Sequence, residues 1–429
     1  MTSHGQVGGT VSAERGSMSR LLVWAAPDEV SERSVRLSLR RWMSRCGDGF
    51  DRVADTWSQP VQGAVRGAVV ASSGPEAVQA LDLERPGVVL GRPAPELAPV
   101  ALLLPGEGAQ HHRMAVGIYR HDPVATEAID EVLDLMGAEG DRVRADWLAE
   151  APLLSPHHPM RALPMVFAVD YALAKVLLAW GIRPGVLVGQ GVGELAAAVL
   201  AGVVSLPDAV DMLVAVAFEL LAAPAGGALA VAAGAAEAAP HLDREVSLAA
   251  DNGPGQIIVS GVDGALRRTE QSLRAVGISC MRVRAEAAYR SNVAVPACDA
   301  GMDALRGKLL RPPTWPLLST TTAAPVSAEE ATDPAFWAYQ ASRPVRLRET
   351  LNLLFAGGGY RCITAGPGQG LASLVRRHVA VATGASSVSS LLCARPRNAD
   401  DDRRTVLAEA ARLWASGYPV DLEQVHRLA

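Results

Sequence analysis

Residues 185–201 read GVLVGQGVGELAAAVLA, and the fold turns on this stretch. An apolar run, Val186, Leu187 and Val188, meets glycines at 189, 191 and 193, and an alanine-rich segment follows. Glycines spaced in this way mark a backbone too crowded for Cβ atoms, so the run reads as strand, sharp turn and helix. This is the layout of a nucleophile elbow, Gly-x-Ser-x-Gly, whose strained turn holds a serine at the mouth of a sheet. Here the middle position is Gly191, which has no nucleophile to offer.

The composition around the elbow bounds the answer. A chain of 429 residues exceeds one ordinary core and suits roughly two or three units. Apolar content of 49% with 20% charged residues fits a well-buried globular protein, and 4% aromatics leaves Ala and Val to do most of the packing. A net charge of −5 argues against a nucleic-acid partner. Cys46, Cys280, Cys298, Cys362 and Cys393 are scattered without metal spacing, as expected of reduced thiols in a cytoplasmic protein. No signal peptide is visible, and the apolar segment 163–182 is interrupted by Asp170 and Lys175, so a buried helix is expected there and not a membrane span.

Taken in order, residues 1–19 are Gly/Ser-rich and expected to be disordered. Residues 20–95 read strand (LLVWAA), helix (30–46), strand (AVRGAVVAS) and short helix (GPEAVQAL), a small α/β unit closed by the Pro-rich GRPAPELAPV. A buried strand at 100–104 runs into the turn PGEGAQ, whose backbone amides should face the carboxyl edge of a sheet. A helix around 162–180, the elbow and a helix from 206 to about 221 follow. From 226 to 286 the order βαββαβ predicts a ferredoxin-like insert. Beyond it lie a helix near 293–310, the strand WPLLST, a helix near 345–355, the strand RCITA, the turn GPGQG, a helix to about 378 and a closing helix over 403–416.

Together these blocks resemble the acyltransferase domain of modular polyketide synthases and the free-standing malonyl transferases. PGEGAQHHRMAVGIYRHDPV is similar to the family's PGQGSQ block, and the stretch from GIRPG to SLPDAV to its GHSxGE elbow. AADNGPGQIIVSG is similar to its AVNGP-VVSG hairpin, and TAGPGQGLASLV to its EVGP block. The resemblance implies an α/β fold: an α/β-hydrolase-like large subdomain (96–225 and 287–395) carrying the ferredoxin-like small subdomain (226–286). A ketosynthase-acyltransferase-linker-like α/β domain (20–95) precedes it, and a C-terminal helix with a post-acyltransferase linker (396–429) follows.

In the family, a serine activated by a histidine moves a malonyl unit from coenzyme A to the phosphopantetheine arm of an acyl carrier protein. The residues at those positions contradict that mechanism. The serine position is Gly191 and the residue before it Gln190; the basic histidine falls on Arg290, and a guanidinium with a pKa above about 12 cannot accept a proton. The carboxylate-binding arginine falls on Val216, the glutamine of the long helix on Leu163, and the oxyanion-turn glutamine on Glu107. The chain is therefore expected to be a pseudo-acyltransferase without malonyl transfer. No cofactor or metal is implied. The implied partners are an acyl carrier protein or synthase module and its phosphopantetheine-bound polyketide, with no nucleic acid or membrane.

Two readings of the remaining charges stand side by side. Glu107 and Arg290 form a salt bridge that plugs an abandoned pocket, or Glu107 acts as general acid or base with Arg290 as anion anchor and His111 as proton shuttle. An open cleft with an unpaired Glu107 points to an enzyme; a cleft filled by the pair points to a scaffold or carrier-binding partner. Gln110, Val192, Tyr289, Ser291 and Asn252 are the further expected binding-site residues, with Tyr289 as a wall and Ser291 as a hydroxyl lacking a base. A basic set, Arg343, Arg346, Arg348, Arg376 and Arg377, is a candidate carrier-docking face. A dinucleotide fingerprint fails, because Glu194 stands one place past Gly193 where the spacing needs its third glycine.

Overall fold

The computed structural model describes residues 18–57, 62–84 and 87–427. The disorder expected for residues 1–17 lies outside them, but Ser19 is held: its N–H and hydroxyl donate to Asp400 at 3.0 and 2.6 Å.

The first unit is a three-stranded antiparallel sheet, β1 (Arg20–Ala26), β2 (Val65–Ala71) and β3 (Val89–Gly91), with β2 in the middle. The Glu29–Met43 helix starts where Asp28 accepts from the Ser31 N–H at 2.7 Å. Its Leu39 and Met43 close a core with Leu22, Trp24 and Phe50. Strand β3 and the Phe50–Thr56 helix are additional to the elements expected from the sequence.

The large sheet begins with β4 (Val100–Leu104) and β5 (Pro184–Gly189), parallel neighbours with Leu102 opposite Leu187. Between them lie the Pro123–Leu135 and Ala138–Leu148 helices, also beyond the expected elements, and the Pro159–Ala179 helix. The first of these carries a start signal, Asp122 as cap with Pro123 in the first turn. The Pro159–Ala179 helix is long and apolar enough to cross a bilayer, but it is buried inside the protein.

The insert comprises β6 (Gly226–Val231), β7 (Val246–Gly253), β8 (Gln256–Val262) and β9 (Cys280–Val283). They pair antiparallel in the order β7-β8-β6-β9, the ferredoxin-like arrangement. The Asp263–Ala275 helix packs Leu266 and Leu273 onto Leu229, Ile257 and Val259.

The chain then returns to the large sheet with β10 (Leu317–Ser319), β11 (Ala324–Pro325), β12 (Arg361–Thr364) and β13 (Ser387–Ser390). Its order is β11-β10-β5-β4-β12-β13, parallel except for β11. Every residue of β4 is buried because both faces are covered. Leu102 and Leu104 join the core of the Pro159–Ala179 helix, whereas Ala101 and Leu103 meet Leu347, Leu351 and Leu371 from the opposite layer. The helix expected over 293–310 is shorter, Val295–Leu305.

The closing helix, Ala399–Ser416, clamps the first unit onto this body. The Arg66 guanidinium lies 5.2 Å over the Trp414 ring and donates to the Trp414 carbonyl at 2.9 Å, and Arg404 pairs with Glu76.

Candidate functional site

Three turns leave the carboxyl ends of β4, β5 and β12 and meet backbone to backbone. A Cβ on Gly106 would strike the Gln190 carbonyl, and one on Gly368 would come within 3.0 Å of the Ala109 carbonyl. The elbow itself has the expected strand–turn–helix form: Gly191 takes φ 60° and ψ −129°, and the Val192–Leu200 helix starts immediately after it. L-residues rarely adopt that conformation, so the turn is strained for anything but glycine.

Glu107 fills the space above Gly191. A Cβ at position 191 would overlap Glu107 Oε2 and come within 2.9 Å of an Arg290 Nη. Glu107 Oε1 accepts from Arg290 Nε at 2.8 Å, and Oε2 accepts from the Val192 backbone N–H at 3.1 Å. That N–H follows the elbow position and is the donor an oxyanion would use. The Glu107 carboxylate therefore takes this N–H.

Arg290 is held from behind. Its Nη1 donates to the carbonyls of Gln340 at 2.6 Å and Arg343 at 3.1 Å, and its backbone N–H donates to the Ala341 carbonyl at 2.8 Å. Its own backbone is left-handed, φ 61°, a conformation that costs a non-glycine residue about 1–2 kcal/mol. The Gln340 side chain donates to Glu194 at 3.1 Å, and Thr320 donates to the same carboxyl from its N–H and hydroxyl at 3.2 and 3.1 Å. Burial pushes the Glu194 carboxyl up to about 7, against the lowering effect of Ser319, Arg290 and Thr320. Gln340 has no signal in the sequence; it reaches the site only because the Tyr339–Ser342 turn packs beneath Arg290.

Above the pair the cleft remains open, about 450 Å³, between the large sheet's turns and the insert. Gln110, Gln190, Asn252, Tyr289, Arg290 and Glu107 line it, with an apolar wall that includes Ala249, Ala250, Ile258 and Leu371. Tyr289 is a buried wall whose hydroxyl has no partner among the described residues; burial, then the charges of Glu107 and Glu286, push its pKa up. The Asn252 side-chain oxygen is likewise buried and has no partner among the described residues.

Other expected residues fall elsewhere. His111 lies outside the cleft lining, in a separate pocket of about 30 Å³ beside Trp147 and Arg161, where burial lowers its pKa. Its role as a shuttle for Glu107 therefore has no geometric support. Val216 is buried against Gly301, 3.0 Å from where a Cβ there would sit, and Leu163 is buried in the large core; neither lines the cleft. Each is an apolar residue on a core helix, and each packs as one. Ser291 donates to the Ala288 carbonyl at 2.7 Å and accepts from the Val293 N–H, so it caps a turn and faces no base. Of the basic set, Arg346 is spent on Glu349 and Arg348 on Asp251, while Arg377 lines the cleft mouth.

The profile of the acyl transferase domain family matches residues 102–417. The chain belongs to that family. It is 34% identical over 329 residues to a phenolphthiocerol/phthiocerol polyketide synthase polypeptide of Mycobacterium tuberculosis, covering 76% of this chain and 22% of that protein. It is 31% identical over 386 residues to the spectinabilin polyketide synthase system protein NorB of Streptomyces orinoci, covering 87% of this chain and 17% of that one. The chain thus spans about a fifth of the length of these curated relatives. Among solved structures, the acyl transferase domain of SpnD, in complex with 2-(pent-4-yn-1-yl)malonyl, superposes with a TM-score of 0.80 at 28% identity, covering 96% of this chain and 98% of that one.

Proposed function

We propose that this chain is a polyketide-pathway member of the acyltransferase family that has lost malonyl transfer. In this reading it works in the cytoplasm on a carrier-protein-bound polyketide intermediate, by acid–base chemistry such as cyclisation or dehydration. The observation that carries the reading is the Glu107 carboxylate, standing where an elbow side chain would project and facing an open cleft of about 450 Å³. Acyl transfer needs a nucleophile, a base and free oxyanion donors. Position 191 offers no nucleophile, Arg290 accepts no proton, and the Val192 N–H already serves Glu107. Losing the nucleophile alone costs on the order of a millionfold in rate in serine hydrolases.

A carboxylate locked by a guanidinium and an amide is preorganised to take a proton from a carbon of the bound chain and, once protonated, to return that proton to the leaving hydroxyl or enolate. The apolar wall suits an uncharged ketide. A second reading, a carrier-binding partner without chemistry, is favoured by one observation: Glu107 is already paired with Arg290.

The test is deletion in the producing strain followed by complementation with wild type or Glu107→Gln. The substitution keeps the volume and removes the charge. Restored product with wild type, and a stalled intermediate with Glu107→Gln, supports chemistry at Glu107. Equal restoration by both forms leaves the binding-partner reading. Incubation of the wild-type protein with malonyl-CoA should leave its intact mass unchanged; a malonyl adduct would overturn the loss of transfer.

A further inference from the structure

The turn that carries Glu107 is tied to a residue that neither the motifs nor the family positions single out. The Gln110 side chain is buried and its Oε1 accepts from the Gly108 backbone N–H at 2.7 Å, while its Nε2 lies 2.9 Å from Nδ1 of His157. An N–H can only donate, so Gly108 fixes which end of the Gln110 amide is oxygen. The other end is then NH₂, a pure donor, and His157 Nδ1 must accept. That is possible only for the neutral imidazole carrying its proton on Nε2. We propose that neutral His157 is a positioning residue that holds Gln110, and through Gly108 the Glu107 turn, in the arrangement that faces the cleft.

A proton on Nδ1 sets donor against donor. The Gln110 amide must then rotate, which withdraws Oε1 from Gly108, or break from His157; either way the turn next to Glu107 loses a support. The groups around the ring oppose that proton only in part. Burial lowers the pKa of His157 first, Glu286 raises it and Arg284 lowers it. On the facing turn Glu107 is tied to Arg290, and His158 adjoins His157 in the chain. The neutral form is therefore favoured in the folded protein, and the tie holds at neutral pH and fails as the pH falls through the titration of His157. The inference rests on Glu107 being the working group of the cleft, but its test does not.

Hydrogen exchange of peptides covering residues 105–110 is measured on the full chain from about pH 8 to about pH 5, corrected for intrinsic rates, with peptides from β1 and β2 as an internal control. In wild type, protection of the turn should drop about tenfold across the His157 titration while the control stays protected; tenfold corresponds to about 1.4 kcal/mol, the size of one hydrogen bond. His157→Gln offers a non-titrating acceptor and should flatten the profile. Gln110→Glu accepts from both Gly108 and a protonated His157, so its turn should keep its protection in acid. Equal pH profiles for wild type and His157→Gln would overturn the proposal, as would acid loss of protection in Gln110→Glu. Because exchange does not depend on turnover, a flat complementation result with Glu107→Gln would count against the acid–base reading and leave this one standing.

Discussion

Two carboxylates in this protein sit where a glycine leaves them room, and they have opposite fates. Glu107 stands over Gly191 and Asp170 over Gly366; in each case a Cβ on the glycine would overlap a carboxylate oxygen. Glu107 is 13% exposed and meets Arg290 and the Val192 N–H. Asp170 is wholly buried in the Pro159–Ala179 helix, neither oxygen has a partner among the described residues, and burial drives its pKa well up. The same steric clearance thus serves an ion-paired carboxylate at the cleft floor and, in the core, a carboxyl whose burial favours its protonated form. What separates them is the supply of donors: a carboxyl without donors or cations in a low dielectric keeps its proton.

The largest break in that contrast should come from Arg290→Ala. It strands the Glu107 charge and frees the Gln340 and Arg343 carbonyls, and should cost about 3–5 kcal/mol in denaturant unfolding. Arg290→Ala with Glu107→Gln should recover a large part of it; no recovery would mean that the arginine matters through packing alone. Next is Gly191→Ser, which must push Glu107 off Arg290 and accept a positive φ, for about 1–3 kcal/mol. Pairing it with Glu107→Ala should return part of that loss as a coupling energy, whereas additive effects would show that the carboxylate was free to move aside. The smallest effect is expected from Asp170→Asn, under about 1 kcal/mol at the pH where the carboxyl is protonated in both states. Its signature is the pH dependence. Folding wild type takes up a proton at Asp170, so stability should decline as the pH rises from about 4, where the unfolded carboxyl ionises, to the raised folded pKa. Asp170→Asn should remove that decline, and an unchanged profile would place the proton elsewhere.

Sequence and structure divide along the same line of local against assembled information. Residues 185–201 are a local message, because strand propensity, glycine crowding and helix propensity act within a few residues; the elbow, the βαββαβ insert and the outer helices were legible for that reason. The Pro123–Leu135 helix carries a local start signal in the Asp122 cap that the sequence reading passed over, whereas the Ala138–Leu148 helix follows Gly137 and has no side-chain cap to announce it. Motif positions also placed Glu107 and Arg290, which are 183 residues apart, at one site. Pairwise geometry was not legible. That Glu107 takes the Val192 N–H, that His111 lines a separate pocket with Trp147, and that Val216 faces Gly301 depend on how helices and turns seat against one another. His157 lies in an irregular segment with no periodicity to read, and acquires a role only when the Pro105–Gln110 turn is folded against it. The sequence by itself determined most of the elements and the empty elbow, because backbone sterics are local. Only the tertiary structure decided which carboxylate finds partners, because that depends on the donors that distant segments bring within hydrogen-bond range.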